Sequence, residues 1–573
     1  MKIKRWICAF LCALLCVGLI PANVFAQDSI DTWDGTFDTS WYSSESTEFH
    51  ITTAEQLAGL AKLVNNDVTF AGATVYLDSD LDLSGHEWVS IGDGSNTLDG
   101  SFQGIFEGGR HTIYNLYSHA GVFTPGNTPE NEENNLYRCG LFGCINNAEI
   151  HNLGIENADI IMPDEDHSTY GKGIIVDWMN NSTITGCYTT GSITGNGYLE
   201  KYIGGIAGFL CGNNTVSGCY STAHITGNYD GSGYEDPAVA AGFWDALGGI
   251  VGASYSGIVT ISDCWFGGKI TVNSIQAPVG GIIGFASGVT IKNCMVTTSD
   301  LESDEYGNTL WLGYTADYTD AQNCFWPADD KYIASLSNYM NGTSAGRGIQ
   351  DFREASVLTG LQANAAEGVV WVSGMEHPTF EWDDNNILAD YTAVNEAIER
   401  AESFDAQLYS NYDDVTAAVD AVDFKMSKAQ QAELDAAAQA INDAVDALEY
   451  KPADYTAVDA AIAKVDSLNP DDYTDFSAVE AAVNAVVRDK NITEQAAVDA
   501  MAKAIEDAVS ALEMKETQND TGTAAETQGA QSGETSPYTG TNFSFALWFA
   551  MLATSAAAVC AFVLCGKKRR GAK

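Results

Sequence analysis

Ile184-Thr185-Gly186-Cys187, Val216-Ser217-Gly218-Cys219, Ile261-Ser262-Asp263-Cys264 and Ile291-Lys292-Asn293-Cys294 are four versions of one phrase. Looser copies precede them at Ile113-Tyr114-Asn115-Leu116 and Ile150-His151-Asn152-Leu153, and a last one closes at Asn323-Cys324. The residue before each Leu or Cys is Asn, Gly or Asp, the types that most readily take a positive φ. On a straight strand, residues three apart face opposite sides. A left-handed residue between them bends the chain, so that the Ile and the Leu or Cys both point inward. The phrase returns every 30–45 residues. That recurrence predicts a coil of short parallel strands stacked about 4.8 Å apart, with like side chains above like. No Asn-Gly or Asp-Gly turn recurs at hairpin spacing, which argues against a sandwich. The expected fold of residues 27–388 is therefore a right-handed parallel β-helix, a β-solenoid.

The cysteines follow from this reading. Of 13, three lie near the N-terminus (Cys8, Cys12, Cys16) and two near the C-terminus (Cys560, Cys565). Cys187, Cys219, Cys264, Cys294 and Cys324 are expected in one inward column continuing Leu116 and Leu153, as small buried hydrophobes with reduced thiols. Cys139, Cys144 and Cys211 fall off the column and receive no role. No Cys or His pair has metal-ligand spacing, so neither a metal nor another cofactor is expected. Acidic loops such as Tyr229 to Asp236 lack EF-hand spacing and leave room only for a structural calcium.

A second element precedes the phrase in three repeats: Gly204-Gly205-Ile206-Ala207-Gly208, Gly248-Gly249-Ile250-Val251-Gly252 and Gly280-Gly281-Ile282-Ile283-Gly284, with Gly140-Leu141-Phe142-Gly143 as a looser copy. These runs lack the Lys-Ser/Thr ending of a phosphate loop and suit tight corners instead. They resemble the GLUG motif of bacterial surface proteins, and the resemblance extends over roughly Trp33 to Trp382. Thr52-Thr53-Ala54-Glu55 reads as a capping box opening a helix whose apolar face is Leu57, Leu60, Ala61 and Val64, the expected N-terminal cap. Pro378-Thr379-Phe380-Glu381-Trp382 reads as the last strand at the other end.

At Asp390 the composition turns to Ala, Asp, Val and Glu. Asp390-Tyr391-Thr392-Ala393-Val394 recurs 64 residues later as Asp454-Tyr455-Thr456-Ala457-Val458. The spacing of Val394 and Ile398, of Val415 and Val419, and of Leu434, Ile441 and Leu448 predicts three amphipathic helices per unit. Residues 389–450 and 451–514 are thus expected to be two three-helix bundles. The pattern resembles FIVAR repeats, which implies carbohydrate or matrix-protein binding, or a plain stalk. Residues 515–535 are polar and aperiodic, a flexible linker.

Both ends carry targeting patterns. Lys2, Lys4 and Arg5 precede the apolar run Trp6 to Ile20, and small residues offer cleavage between Ala26 and Gln27, so residues 1–26 read as a signal peptide. In residues 536–573, Ser536-Pro537-Tyr538-Thr539-Gly540 is followed by an apolar span at 543–565 and by Lys567-Lys568-Arg569-Arg570. The span is about 35 Å long as a helix, enough to cross a bilayer, and the cations hold its end inside. This order is similar to the sorting signal of Gram-positive surface proteins, with Ser536 where their commonest pattern has Leu. The resemblance implies sortase and peptidoglycan as partners, cleavage between Thr539 and Gly540, and a secreted, wall-anchored product. It touches the membrane only through its C-terminal segment before sorting.

A net charge of −50, with ten Lys and Arg between Gln27 and Leu388, excludes a nucleic-acid partner. A glycan or matrix ligand is expected instead. Tyr188, Tyr220 and Trp265 each follow a column Cys, so alternation turns them outward, one above another, as candidate glycan-stacking residues. No catalytic residue is assigned. Asp177 is read as lying before a turn, Asp263 as a bend residue, Glu149 and Glu156 as flanking one rung, and Asp78, Asp80 and Asp82 as sharing a strand face. A β-helix polysaccharide lyase or glycoside hydrolase is the enzymatic alternative, and a structural spacer the other. Replacing Thr539 by Ala tests the anchor: detergent-resistant attachment to peptidoglycan should be lost, with the protein kept in the membrane or shed. Unchanged release by a muralytic enzyme would rule the signal out.

Overall fold

The computed structural model describes residues 30–92, 100–119, 122–123, 137–162, 171–197, 202–229, 246–273, 277–302, 309–317, 319–328 and 346–515. The cleavage site Ala26-Gln27, the pentapeptide 536–540, the span 543–565 and the loop beyond Tyr229 lie outside them. The described residues form two compact units, divided between Tyr450 and Lys451.

In the first unit successive repeats pair in parallel. One sheet has nine strands, from Glu48–Ile51 through Thr74–Leu77, Ile105–Glu107, Glu149–His151, Thr183–Thr185, Asn214–Ser217, Val259–Ser262 and Val289–Lys292 to Asp320–Gln322. A second sheet has thirteen strands and includes Gly154–Ile161, Tyr188–Gly197, Tyr220–Ser221, Trp265–Phe266 and Met295–Val296. A third has five and a fourth six. The Gly-Gly-Ile runs make the corner between these last two. At Gly204, Gly248 and Gly280 an added Cβ would lie 2.1, 1.8 and 2.0 Å from the carbonyl oxygen three residues on, so no side chain fits there.

The expectation of a right-handed parallel β-helix is corrected. The strands are divided among several separate parallel sheets, joined by two antiparallel pairs and by helices, and do not close into one solenoid. The reason lies in the bends: a left-handed residue ends one extended segment and starts another in a new direction, so each repeat is shared out among different sheets. Asn115, Asn152, Gly186, Gly218, Asp263, Asn293 and Asn323 all have φ between 50° and 65°.

The inward column of the nine-stranded sheet runs Phe49, Val75, Phe106, Ile150, Ile184, Val216, Ile261, Ile291 and Ala321, all buried. Ile113 is absent from it. Its partner is Ile155, on the thirteen-stranded sheet, and the Asn115 N–H bonds the Glu156 carbonyl, so Leu116 stands one bend beyond the cysteine column. The copy at Ile113 is therefore out of phase, because the N-terminal repeats turn a second time near Asn115 and Asn157, both at positive φ.

Cys187, Cys219, Cys264, Cys294 and Cys324 are free thiols, each fully buried. Each Sγ faces the carbonyl two residues before it at 3.2–3.3 Å. Burial pushes the thiols of Cys187, Cys264 and Cys324 well above the ordinary cysteine range. Of the other three, Cys139 and Cys144 are buried and Cys211 is partly exposed beside the Ser256 hydroxyl, at 3.4 Å.

Helix Ala54–Val64 buries Leu57, Leu60, Ala61 and Val64 as its apolar spacing requires. Its cap sits one residue later than expected: the Thr53 side chain accepts the Gln56 N–H, and Gln56 Oε1 accepts the Thr52 N–H at 2.8 Å. Two adjacent threonines can each cap, and packing of the apolar face chooses between them. Pro378 to Trp382 is not the last strand of the parallel stack. Thr379–Phe380 pairs antiparallel with Trp371–Val372, as part of a segment that crosses over the sheet.

Helices Thr392–Glu402, Tyr412–Asp420 and Gln431–Asp446 share a core of Val394, Ala397, Val415, Leu434, Ile441 and Val445. They belong to the first compact unit. Leu388 bridges Ser427, the Ala389 N–H bonds the Met426 carbonyl, and Lys428 pairs with Asp384 at 2.7 Å. Helices Thr456–Asp466, Ser477–Asn484 and Gln495–Ser510 pack in the second unit around Val458, Ala461, Val498 and Ile505. No helix among the described residues is long and apolar enough to cross a membrane. Thiol accessibility checks the core. In the native chain Cys211 should react with an alkylating reagent, whereas the five column cysteines should react only after unfolding. Ready modification of Cys219 or Cys264 without denaturant would contradict their burial.

Candidate functional site

Tyr188, Tyr220 and Trp265 stand in register on neighbouring strands, followed by Met295 and Phe325. The rings stack, Tyr188 on Tyr220 at 5.1 Å and Tyr220 on Trp265 at 4.4 Å. They do turn off the sheet, but into a second core. Helix Ala355–Asn364 and the strands after it lay Val357, Leu361, Trp371 and Phe380 over the row. Trp382 stacks on Tyr220 at 5.8 Å, and His377 meets Trp265 edge-on at 4.4 Å. Tyr220 is 2% exposed and Trp265 1%. The glycan-stacking expectation for these two is corrected: outward from a sheet is not outward to water once another segment crosses the face. Uncovering four such large rings would cost about 1.5–3 kcal/mol apiece, so this strap is a fixed cover and not a lid.

Two buried carboxylates pin the strap. Asp263, at its bend, accepts the Trp371 indole N–H at 3.0 Å, the Ala366 N–H at 3.2 Å and the Asn293 side-chain amide. Asp383 accepts the Tyr220 hydroxyl at 3.0 Å, the Asn386 amide at 2.8 Å and the Thr379 hydroxyl. Burial outweighs these donors and raises both carboxyls above the ordinary value.

Where the strap leaves the sheet face, a cleft of about 350 Å³ remains between Trp382–Asn385 and the outer ends of several strands. Asp80, Arg110, Tyr114, Glu156 and Asn385 line it. Arg110 lies over the Trp382 ring, 4.4 Å from its centroid, and donates to the Gly186 carbonyl at 2.9 Å. Glu156 accepts from the Tyr188 hydroxyl at 2.8 Å and from the Asn385 amide at 3.1 Å. With its proton committed to Glu156, the Tyr188 oxygen accepts from Thr112 at 3.0 Å. Asp80 accepts the Thr112 N–H at 2.9 Å and faces His111 Nδ1 at 3.1 Å. Partial burial, with the charges of Glu156 and Asp80 adding to it, raises the Tyr114 phenol above its ordinary range.

The remaining carboxylates hold the frame. Asp78 pairs with His50 at 2.7 Å, and Asp82 accepts from Asn115 at 2.8 Å. Glu149 pairs with His151 at 2.9 Å. Asp177 does not precede a turn: it lies inside strand Val176–Asn180, fully buried, accepting the Cys139, Gly140 and Gly173 N–H groups. Its position faces Gly208 on the next strand, because the Val176–Ala207 register aligns them. Among the described residues no group of three or more His, Cys, Asp or Glu is placed to hold a metal ion. Sequence reasoning missed Arg110, Tyr114, Trp382 and Asn385. The available signal was Arg110, one of few cations before Leu388, and its Trp382 neighbour lay 272 residues away.

No known family model matches the sequence, and no curated protein matches it. Among solved structures, a chain described as a "putative immunoglobulin A1 protease" from Bacteroides ovatus shares 21% identity and a TM-score of 0.41. That match covers 61% of this chain and 96% of the other. A likeness of that size carries no functional argument.

The pinning carboxylates make a pH test. A carboxyl raised in the folded state stabilises fully below its unfolded value, about 3.8, and that contribution is lost as pH rises through the folded value. Asp383→Asn should therefore destabilise most in acid, and its cost in denaturant unfolding should shrink as pH climbs above about 4. A cost that grows with pH would mean the native state prefers the ionised form.

Proposed function

We propose that the chain is a secreted, cell-wall-anchored surface protein that binds a glycan or matrix ligand without transforming it. Anchoring rests on the leader before Gln27 and on the signal at Ser536 to Gly540, with sortase and peptidoglycan as partners. The cleft beside Trp382 is the observation that carries ligand binding. A hydroxyl-rich ligand needs carboxylates and amides that take its hydroxyl protons, a guanidinium that donates to its oxygens, and a ring for its C–H face. Asp80, Glu156, Asn385, Arg110 and Tyr114 offer these in one concavity. The binding residues move from the covered row Tyr220 and Trp265 to this cleft.

A glycoside hydrolase is the second reading, favoured by the convergence of Asp80 and Glu156 on the same cleft. Such an enzyme needs one carboxyl free to give a proton and the other free to attack or to activate water. Glu156 already holds Tyr188 and Asn385, and Asp80 holds the Thr112 backbone and His111. Those duties suit a scaffold that binds. A spacer without a ligand is the third reading.

The experiment uses residues 27–515, because bonds on both sides of residue 388 tie the first helical unit to the end of the strap. On a glycan array, Tyr114→Ala should lower affinity about tenfold with little change in melting temperature, the scale of one lost ring contact. Binding unaffected by Tyr114→Ala together with Asp80→Asn would remove the cleft from the proposal. Turnover of any polysaccharide would favour the hydrolase, and silence across the array the spacer.

A further inference from the structure

Thr112, Gly154 and Tyr188 stand in register on strands Thr112–Tyr114, Gly154–Ile161 and Tyr188–Gly197. A Cβ at Gly154 would lie 2.4 Å from the Tyr188 ring. With no side chain there, the end of that ring lies across the middle strand, its hydroxyl reaching Thr112 and Glu156, and it forms part of the cleft lining. The cleft, of about 350 Å³, is at the small end of ligand sites, with room for little more than a short saccharide.

Each open carboxylate of the cleft is held by one oxygen only. Glu156 receives the Tyr188 hydroxyl at 2.8 Å and the Asn385 amide at 3.1 Å, both on Oε1. Asp80 receives the Thr112 N–H at 2.9 Å and faces His111 Nδ1 at 3.1 Å, both on Oδ1. Among the described residues no hydrogen bond reaches Glu156 Oε2 or Asp80 Oδ2. An ionised carboxylate only accepts, so a ligand group that meets these oxygens has to bring a proton. A sugar hydroxyl brings one. A ligand carboxylate or sulfate brings none and adds a like charge. The other charges of the cleft are committed. Asp384 pairs with Lys428 at 2.7 Å, and Asp383 holds the Tyr220 hydroxyl and the Asn386 amide. Arg110 lies over the Trp382 ring and gives Nη1 to the Gly186 carbonyl, so one partly used guanidinium stands against two carboxylates with an open oxygen.

We propose that Asp80 and Glu156 set the charge specificity of the cleft: it takes a saccharide whose rings carry hydroxyls alone and turns away one that bears a carboxylate or sulfate. The inference rests on the cleft being the glycan site. It removes uronate-rich and sulfated matrix polysaccharides from the ligand class and leaves neutral glycans.

The test is an array of disaccharides ending in glucose, galactose or mannose, each printed beside the disaccharide ending in the matching uronic acid and probed with the full-length chain. At least one neutral member should bind, and its uronic partner should bind about tenfold more weakly at low salt. Added salt should narrow that gap and leave the neutral member's affinity unchanged, a readout that needs no variant. Asp80→Asn with Glu156→Gln should bring the two members of the pair within about threefold of each other. Two substitutions among 77 acidic residues hardly alter the field of the whole chain, so a gap that closes in this variant is set in the cleft. A uronic member bound as tightly as its neutral partner, or a gap unchanged in the double variant, would overturn the charge specificity and leave the cleft as a glycan site. Silence across every pair would overturn both.

Discussion

The left-handed residue between each inward aliphatic and each inward cysteine is the constraint on which the rest of the first unit depends. At Asn152, Gly186, Gly218, Asp263, Asn293 and Asn323 it lets two side chains three positions apart enter one core, and it turns the strand into a different sheet. An L-residue with a branched side chain would pay heavily for that backbone, which is why only Asn, Asp and Gly stand there. Parallel pairing then multiplies the choice, because a bend misplaced in one repeat would lie over correct bends in its neighbours. Polar bend residues also satisfy one another along the stack, as Asn323 does by donating to Asn293 at 2.6 Å.

The strap depends on the same bends. Asp263 serves at once as a left-handed corner and as the carboxylate that holds Trp371, so the corner and the cover are built on one residue. From that anchorage the strap lays its rings on Tyr220 and Trp265 and continues to Asp384, which grips Lys428 of the first helical unit. The cleft is what remains at the margin of this cover. Its polar character follows from position: apolar rings go to the middle of the strap, and Asp80, Arg110 and Glu156 stay at the edge where water reaches them.

The cleft's ligand class follows from a plain electrostatic reason. Carboxylates and amides dominate the cleft, which suits neutral hydroxyls. In so acidic a chain, placing a scarce cation is a specific act, and the cleft contains Arg110.

Local residues determined a great deal on their own. The bends, the buried cysteine column and the glycine corners are readable because each is set by the φ range or the size of one residue. The N-terminal helix and the 64-residue helical repeat are readable from apolar spacing, and the equivalent Tyr391 and Tyr455 hydroxyls each bond a backbone carbonyl 32 residues on. Only the tertiary structure decided how the strands are divided among sheets, where the copy at Ile113 pairs, and which outward face stays open. Alternation says that Tyr220 and Trp265 leave the sheet; it is silent on a strap joined to them more than a hundred residues later. Arg110 meets Trp382 because the strap crosses the sheet, and Asp80 and Glu156 share a cleft through the stacking of distant repeats; contacts of these kinds leave no period in the chain to be read.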